Sequence, residues 1–131
     1  MLKLRWKALA VALAWTLFIL FLLSIPTRDL PSSRLWQYDK LGHALMFMVL
    51  AILWMRALSA HSLRMIVLIL VCGLAFAPLT EWYQSLLASG RHAELLDSVA
   101  DAAGFGVGTV AWIIWEKIQP SASTPDASSK P

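Results

Sequence analysis

The sequence predicts an all-α, polytopic membrane protein with four transmembrane helices in a small bundle and both termini in the cytoplasm. Of its 131 residues, 59% are hydrophobic and only 15% are charged, whereas about a quarter of a typical soluble domain is charged. Four apolar runs are each about as long as a helix needs to cross the hydrocarbon. A soluble helical protein would need polar faces that these runs lack. The length fits one compact helical domain.

The charge balance argues against a nucleic-acid partner. The formal net charge is only +3, and the cations lie near the ends of the apolar runs instead of forming a basic stripe. Lysine and arginine at helix ends are typical of residues that orient membrane helices. Cys72 is the only cysteine, so an internal disulfide is excluded.

The first span is predicted at about residues 8–25. Lys3, Arg5 and Lys7 precede it and favour a cytoplasmic N-terminus. A cleaved signal peptide is the alternative, but residues 24–27 lack the small-x-small cleavage pattern, so a retained helix is favoured. Pro26 and Pro31 are predicted to end this helix and to stiffen the polar loop after it.

Three further spans are predicted at about residues 41–58, 63–80 and 97–115. The short turn between the second and third is basic and carries Arg56 and Arg64, as expected of a cytoplasmic turn. Pro78 is predicted to kink the third span near its end. Residues 1–117 would form the membrane domain. Residues 118–131, rich in serine and proline, are predicted to form a disordered tail.

Alternating spans place the polar residues of two distant segments at one end of the predicted bundle, on the outer side of the membrane. Charged side chains cost a few kcal/mol or more in hydrocarbon, so they usually face protein or a water-filled cavity and often carry function. This end is therefore predicted to hold the functional site. The residues concerned are Asp39, Lys40, His43, Glu81, Gln84, Arg91, His92, Asp97 and Asp101.

Asp39 and His43 open the second span four residues apart, so they share a helix face. A carboxylate beside an imidazole orients the ring and suits proton transfer or ligand binding. Asp39 is also predicted to cap the helix N-terminus by accepting backbone N–H bonds. His43 lies one turn deeper, where a functional and a purely structural role both stay open.

Glu81 and Gln84 are three residues apart, and both can point inward if the third helix continues past Pro78. The alternative for Glu81 is a carboxylate that extends to the membrane surface. Arg91 is the expected partner, because its planar guanidinium can hold a carboxylate or a lipid phosphate.

Asp97, Asp101, Gly104 and Gly108 follow a 4-3-4 spacing and form one stripe on the fourth helix. The glycines permit close approach of another helix backbone. Asp97 has the alternative role of an N-cap. Two carboxylates on one face repel, which favours a proton on one of them, and such a pair can perform general acid–base chemistry.

A metal site is not predicted, because the chain has no compact metal motif such as H-E-x-x-H. No nucleophile elbow surrounds any nearby serine. The identity of any cofactor stays open. The residues whose side chains could hold a divalent metal are His43, Glu81, His92, Asp97 and Asp101.

Residues 39–43, Asp-Lys-Leu-Gly-His, resemble the D-K-x-x-H signature of the VanZ-like family of integral membrane proteins. A second signature of that family, E-x-x-Q…R…D-x-x-x-N-x-x-G, is similar to the pattern formed by Glu81, Gln84, Arg91, Asp97, Asp101 and Gly104. In this signature Asp101 stands where the family often has asparagine, which favours a proton-carrying or cation-binding role. The resemblance covers about residues 39–115.

The resemblance implies a small multi-pass protein of the cell envelope, in the inner or plasma membrane. The family is named after a member linked with low-level resistance to the glycopeptide teicoplanin. The expected function is binding of a lipid or glycan head group at the outer leaflet, with a membrane lipid or a lipid-linked envelope glycan as partner. The expected ligand-binding residues are Asp39, Lys40, Gln84, Arg91 and Asp97.

Two alternatives stay open. One is an intramembrane acid–base enzyme acting on a lipid-linked substrate, with His43, Glu81 and Asp101 as catalytic candidates. The other is a structural or assembly subunit, in which Gly104 and Gly108 pack against a partner span or a second copy of the chain.

Overall fold

The computed structural model describes residues 5–25, 36–87 and 95–118, of which residues 36–39 are described by their backbone only. These residues form four helices: α1 (Trp6–Leu23), α2 (Trp36–Ala57), α3 (Leu63–Leu86) and α4 (Leu95–Ile118). All four contain a stretch long and apolar enough to cross a membrane. At 1.5 Å per residue, 24 residues extend for about 36 Å, which exceeds the roughly 30 Å of hydrocarbon. The prediction of an all-helical chain with four candidate spans is thus confirmed for the described residues. The predicted tail lies outside them, apart from Ile118.

Two helices extend further toward the polar end than the sequence indicated. α2 begins at Trp36 instead of about residue 41, and α3 continues through Pro78 to Leu86 instead of ending near residue 80. Pro78 removes one backbone donor. Continuing the helix nevertheless satisfies the other backbone groups, which the membrane interior strongly favours. Glu81 and Gln84 are therefore helical residues with fixed directions.

α2 and α3 each contact all three other helices, and the most extensive contact is between α2 and α4. Glycines explain why these two helices approach so closely. A Cβ atom added at Gly104 would overlap the carbonyl oxygen of Ala44, and one added at Gly108 would overlap that of Met48. The backbones of α2 and α4 thus touch directly, without intervening side chains.

The remaining contacts combine an apolar core with hydrogen bonds between helices. Phe47, Leu50, Met55 and Phe105 belong to one buried cluster. Trp15 Nε1 donates to Met46 O at 3.1 Å. This bond fixes α1 against α2 at mid-depth.

The outward faces of the helices are apolar, which reverses the usual surface of a soluble protein. Phe21, Val71 and Val107 are each more than half exposed. Contiguous apolar surface of this extent would drive aggregation in water. It fits contact with lipid, in agreement with the four candidate spans.

Candidate functional site

Polar side chains from three helices meet at one end of the molecule. They come from the first three turns of α2, the first two turns of α4 and the last two turns of α3. All lie on the inward faces, where an uncompensated polar group is costly. The buried members are His43, Thr80, Glu81, Gln84, Asp97 and Asp101.

The deepest part of this cluster is a group of three residues, His43, Glu81 and Asp101, called here the polar triad. Each offers one atom able to bind a metal, and the three atoms all lie within 4.8 Å of one another. The three residues are almost fully enclosed, with exposed fractions of 3%, 5% and 0% for the whole residue. One residue comes from each of α2, α3 and α4, so the triad exists only when these helices are packed.

His43 and Asp101 are in direct contact. The His43 Nδ1 and Asp101 Oδ1 atoms are 3.0 Å apart, and the ring N–H donates to the carboxylate when the proton is on Nδ1. The sequence paired His43 with Asp39, four residues away. The structure pairs it with a carboxylate on another helix, 58 residues further along. The contact with Asp39 stays a prediction, because that side chain lies outside the described residues.

The second carboxylate oxygen of Asp101 is the unusual atom of the site. Within the described part of the chain, Asp101 Oδ2 is buried and has no hydrogen-bond partner. Thr80 lies beside Asp101, but its hydroxyl donates to Ala77 O at 2.7 Å. A hydroxyl has a single proton to donate, so Thr80 does not satisfy this oxygen while it donates to Ala77 O.

The outer part of the cluster is an ion pair between α2 and α4. Lys40 Nζ lies 3.0 Å from Asp97 Oδ1, and the side chains are 38% and 12% exposed. Asp97 is the third residue of α4 and lies in its first turn, and its side chain pairs with Lys40 of α2. Asp39 is the fourth residue of α2 and therefore does not occupy the predicted N-cap position, because the helix begins earlier than expected.

Thr80, on the inward face of α3, is a functional candidate that the sequence pattern did not single out. The buried residues of this helix include Ala77, Thr80, Glu81 and Gln84. Thr80 precedes Gln84 by four residues, so the helical spacing contained the signal. Glu81 and Gln84 also have interaction partners of their own.

Several predicted site residues remain untested. Arg91 and His92 lie outside the described residues, as does the side chain of Asp39. The expected contact between Glu81 and Arg91 therefore stays a prediction. In contrast, all four members of the predicted stripe on α4 are buried. Its glycines pack on α2 of the same chain, which leaves that part of the stripe covered and closed to a partner span.

The opposite end of the molecule carries a second histidine–carboxylate pair. His61 Nδ1 contacts Glu116 Oε2, but these side chains are 65% and 30% exposed. They border an open cleft of about 670 Å³, which Arg5 and Arg56 also line. This end is shallow and basic, whereas the end with the polar triad is enclosed.

Comparison of the chain with family models, with curated proteins and with solved structures finds no match. The resemblance to the VanZ-like family therefore stays a prediction that residues 39–115 carry. The same holds for its implied connection with glycopeptides.

Proposed function

We propose that this chain is a multi-pass plasma-membrane protein whose polar end binds the head group of a lipid or of a lipid-linked envelope glycan. The observation that carries the proposal is the convergence of buried polar side chains from α2, α3 and α4 at one end of the molecule. Buried ionisable groups in membrane segments are costly and usually serve a ligand, an ion or a proton path.

The chemistry of the site favours hydroxyl or amine groups as the bound part of the head group. Lys40 and Asp97 pair with one another at the rim. The carboxylates of Glu81 and Asp101 lie deeper, and Asp101 Oδ2 is an acceptor without a donor among the described residues. Ionised carboxylates only accept hydrogen bonds, so their natural ligands are O–H and N–H donors.

An apolar cleft supports a lipid as the molecule that carries this head group. The cleft has a volume of about 370 Å³ and is lined by residues of all four helices, including Thr16, Phe76 and Phe105. Phe105 lies one helical turn from Asp101, and Phe76 one turn from Thr80. Hydrocarbon in the cleft would therefore lie directly below the polar triad.

The proposed orientation puts this site at the outer leaflet. Arg5, Arg56 and His61 lie at the opposite end, and basic residues favour the cytoplasmic side. This orientation also puts both termini in the cytoplasm. The proposal leaves Arg91 with its expected role of holding an anionic part of the head group.

Co-purified lipid tests the proposal. The full chain is extracted with a nanodisc-forming polymer that keeps neighbouring lipids, and the bound lipids are identified by mass spectrometry. We expect a lipid class with hydroxyl- or amine-bearing head groups to be enriched with wild type and lost with Glu81→Gln and Arg91→Ala. Glu116→Gln is the matched control, because it removes an acid at the other end. Equal lipid profiles for wild type and Glu81→Gln would contradict the proposal.

A second candidate function is intramembrane acid–base chemistry on a lipid-linked substrate. The contact between His43 and Asp101, with Glu81 beside it, brings together three groups able to transfer protons. Strains carrying Glu81→Gln or Asp101→Asn would then accumulate the substrate and change the glycolipid composition of the envelope. Unchanged composition, with normal expression of both variants, would exclude catalysis and favour binding alone.

A further inference from the structure

We propose that the polar triad is a binding site for a divalent transition-metal ion, with Zn²⁺ or Mn²⁺ as the class of ion that it fits. This inference goes beyond head-group binding, because it rests on the triad alone and requires no lipid. Its ligands would be the imidazole of His43 and the carboxylates of Glu81 and Asp101.

The positions of the candidate ligand atoms suit one ion. His43 Nδ1 and Asp101 Oδ1 are 3.0 Å apart, and two ligands at the usual zinc distances of about 2.0–2.2 Å are separated by about 3–3.5 Å. The three ligand atoms lie within 4.8 Å of one another. The more distant atoms have to move closer by at most about 1.5 Å to reach this separation, which is within the range of a side-chain adjustment.

Charge provides a second argument. Two carboxylates and a neutral imidazole around a divalent cation sum to zero. The triad is nearly inaccessible to water, and the ionised carboxylates are expensive to bury there without a compensating cation. A bound divalent ion removes that cost for both acids at once. His43 binds through a ring nitrogen that carries no proton, since metal ligands must be deprotonated.

The unpartnered oxygen is an independent observation that points to a ligand. Asp101 is fully buried, and its Oδ2 has no hydrogen-bond partner among the described residues. Buried polar atoms are nearly always satisfied. A metal bound by the carboxylate would satisfy this atom, either through direct coordination or through a metal-bound water.

The mixed ligand set determines which cations bind. Imidazole nitrogen suits zinc and other late transition metals, whereas Mg²⁺ and Ca²⁺ prefer sites made only of oxygen. Manganese accepts both kinds of ligand. The triad should therefore discriminate against the alkaline-earth ions, which are the more abundant competitors.

Metal binding to the purified full chain tests the inference. The protein in detergent is stripped with a chelator and titrated with Zn²⁺ against a chromophoric competitor. We expect one Zn²⁺ per chain, no competition from Mg²⁺, and a loss of affinity in Asp101→Asn and His43→Gln of at least about a hundredfold, since even an outer-shell partner contributes roughly 10- to 100-fold.

The matched control is the exposed histidine–carboxylate pair. His61→Gln and Glu116→Gln remove the same chemical groups at the other end, and each should leave the Zn²⁺ affinity within about twofold of wild type. If the stoichiometry is far below one, or if the triad variants bind as tightly as wild type, the inference is overturned. Loss of binding in the His61 variant instead would equally overturn it.

X-ray absorption spectroscopy of the zinc-loaded wild type keeps the test independent of how well the variants fold. We expect a first shell of nitrogen and oxygen at about 2.0–2.2 Å with imidazole back-scattering. A first shell without imidazole would overturn the inference. Repeating the lipid analysis on the chelator-treated protein separates the two proposals. A protein that retains its lipid but binds no zinc would reject the metal site alone. A protein that binds zinc but carries no enriched lipid would reject head-group binding alone.

Discussion

The two histidine–carboxylate pairs of this molecule have the same chemistry and opposite surroundings. His43 and Asp101 join α2 to α4 at one end, with side chains only 4% and 0% exposed. His61 and Glu116 join the α2–α3 turn to α4 at the other end, where the side chains are 65% and 30% exposed. Water solvates the second pair whether or not it is formed, but it has almost no access to the first pair once that pair is broken.

This difference shows why the type of interaction alone is a poor guide to its importance. An exposed ion pair is weakened by water and salt, and it contributes at most about 1 kcal/mol. A buried pair costs much to form, and breaking it by removing one partner is strongly destabilising. The buried pair is therefore both the better functional candidate and the more sensitive structural element.

The largest expected effect comes from breaking the buried pair while leaving its acid in place. His43→Leu removes the imidazole that Asp101 Oδ1 contacts, and we expect the free energy of unfolding to decrease by about 3–5 kcal/mol. Reversible unfolding in mixed detergent micelles, followed by circular dichroism, measures the change. His61→Leu is the control and should change stability by less than about 1 kcal/mol. Similar losses for both variants would remove the distinction between the two ends.

The second effect concerns the glycine that holds α2 close to α4, one turn from Asp101. Gly104→Ala puts a methyl group into the Ala44 carbonyl, and overpacking of this kind costs about 1–3 kcal/mol. Gly106→Ala is the control, because a Cβ there meets nothing within 4 Å. It should be neutral or stabilising by up to about 1 kcal/mol. Equal tolerance of both substitutions would mean that close approach does not position the buried pair.

A smaller effect is expected for the pair of intermediate exposure, Lys40 and Asp97. A double-mutant cycle with Lys40→Met and Asp97→Asn should give a coupling free energy of at most about 1 kcal/mol. The coupling should decrease as the salt concentration rises, because Lys40 is 38% exposed. A coupling that exceeds the effect of His43→Leu would show that the rim, and not the triad, dominates this end.

The smallest effect is expected at the exposed pair itself. Glu116→Gln should change the free energy of unfolding by only a few tenths of a kcal/mol, and less in high salt. Stability curves at low and high ionic strength provide the measurement. A decrease in the free energy of unfolding above about 2 kcal/mol would contradict this expectation, because exposed ion pairs usually contribute at most about 1 kcal/mol.

The sequence by itself determined the secondary structure and the direction of several side chains. Uninterrupted apolar runs require helices, since backbone groups in hydrocarbon must bond within their own segment. The 4-3-4 spacing of Asp97, Asp101, Gly104 and Gly108 predicted one face of α4, and all four are buried. The ends of α2 and α3 were less predictable, because mixed polar residues and Pro78 are compatible with either a helix or a loop.

Only the tertiary structure decided which residues meet. Local spacing placed His43 on one face of α2 with Asp39, whereas its contact with Asp101 of α4 depends on the close packing of these helices at Gly104. The same packing brings Glu81 beside that pair, and no pattern of neighbouring residues encodes this arrangement. The helical spacing of the residues and their hydropathy specify which side chains each helix buries. The register between helices depends on the close fit of their surfaces, which exists only once the chain is folded.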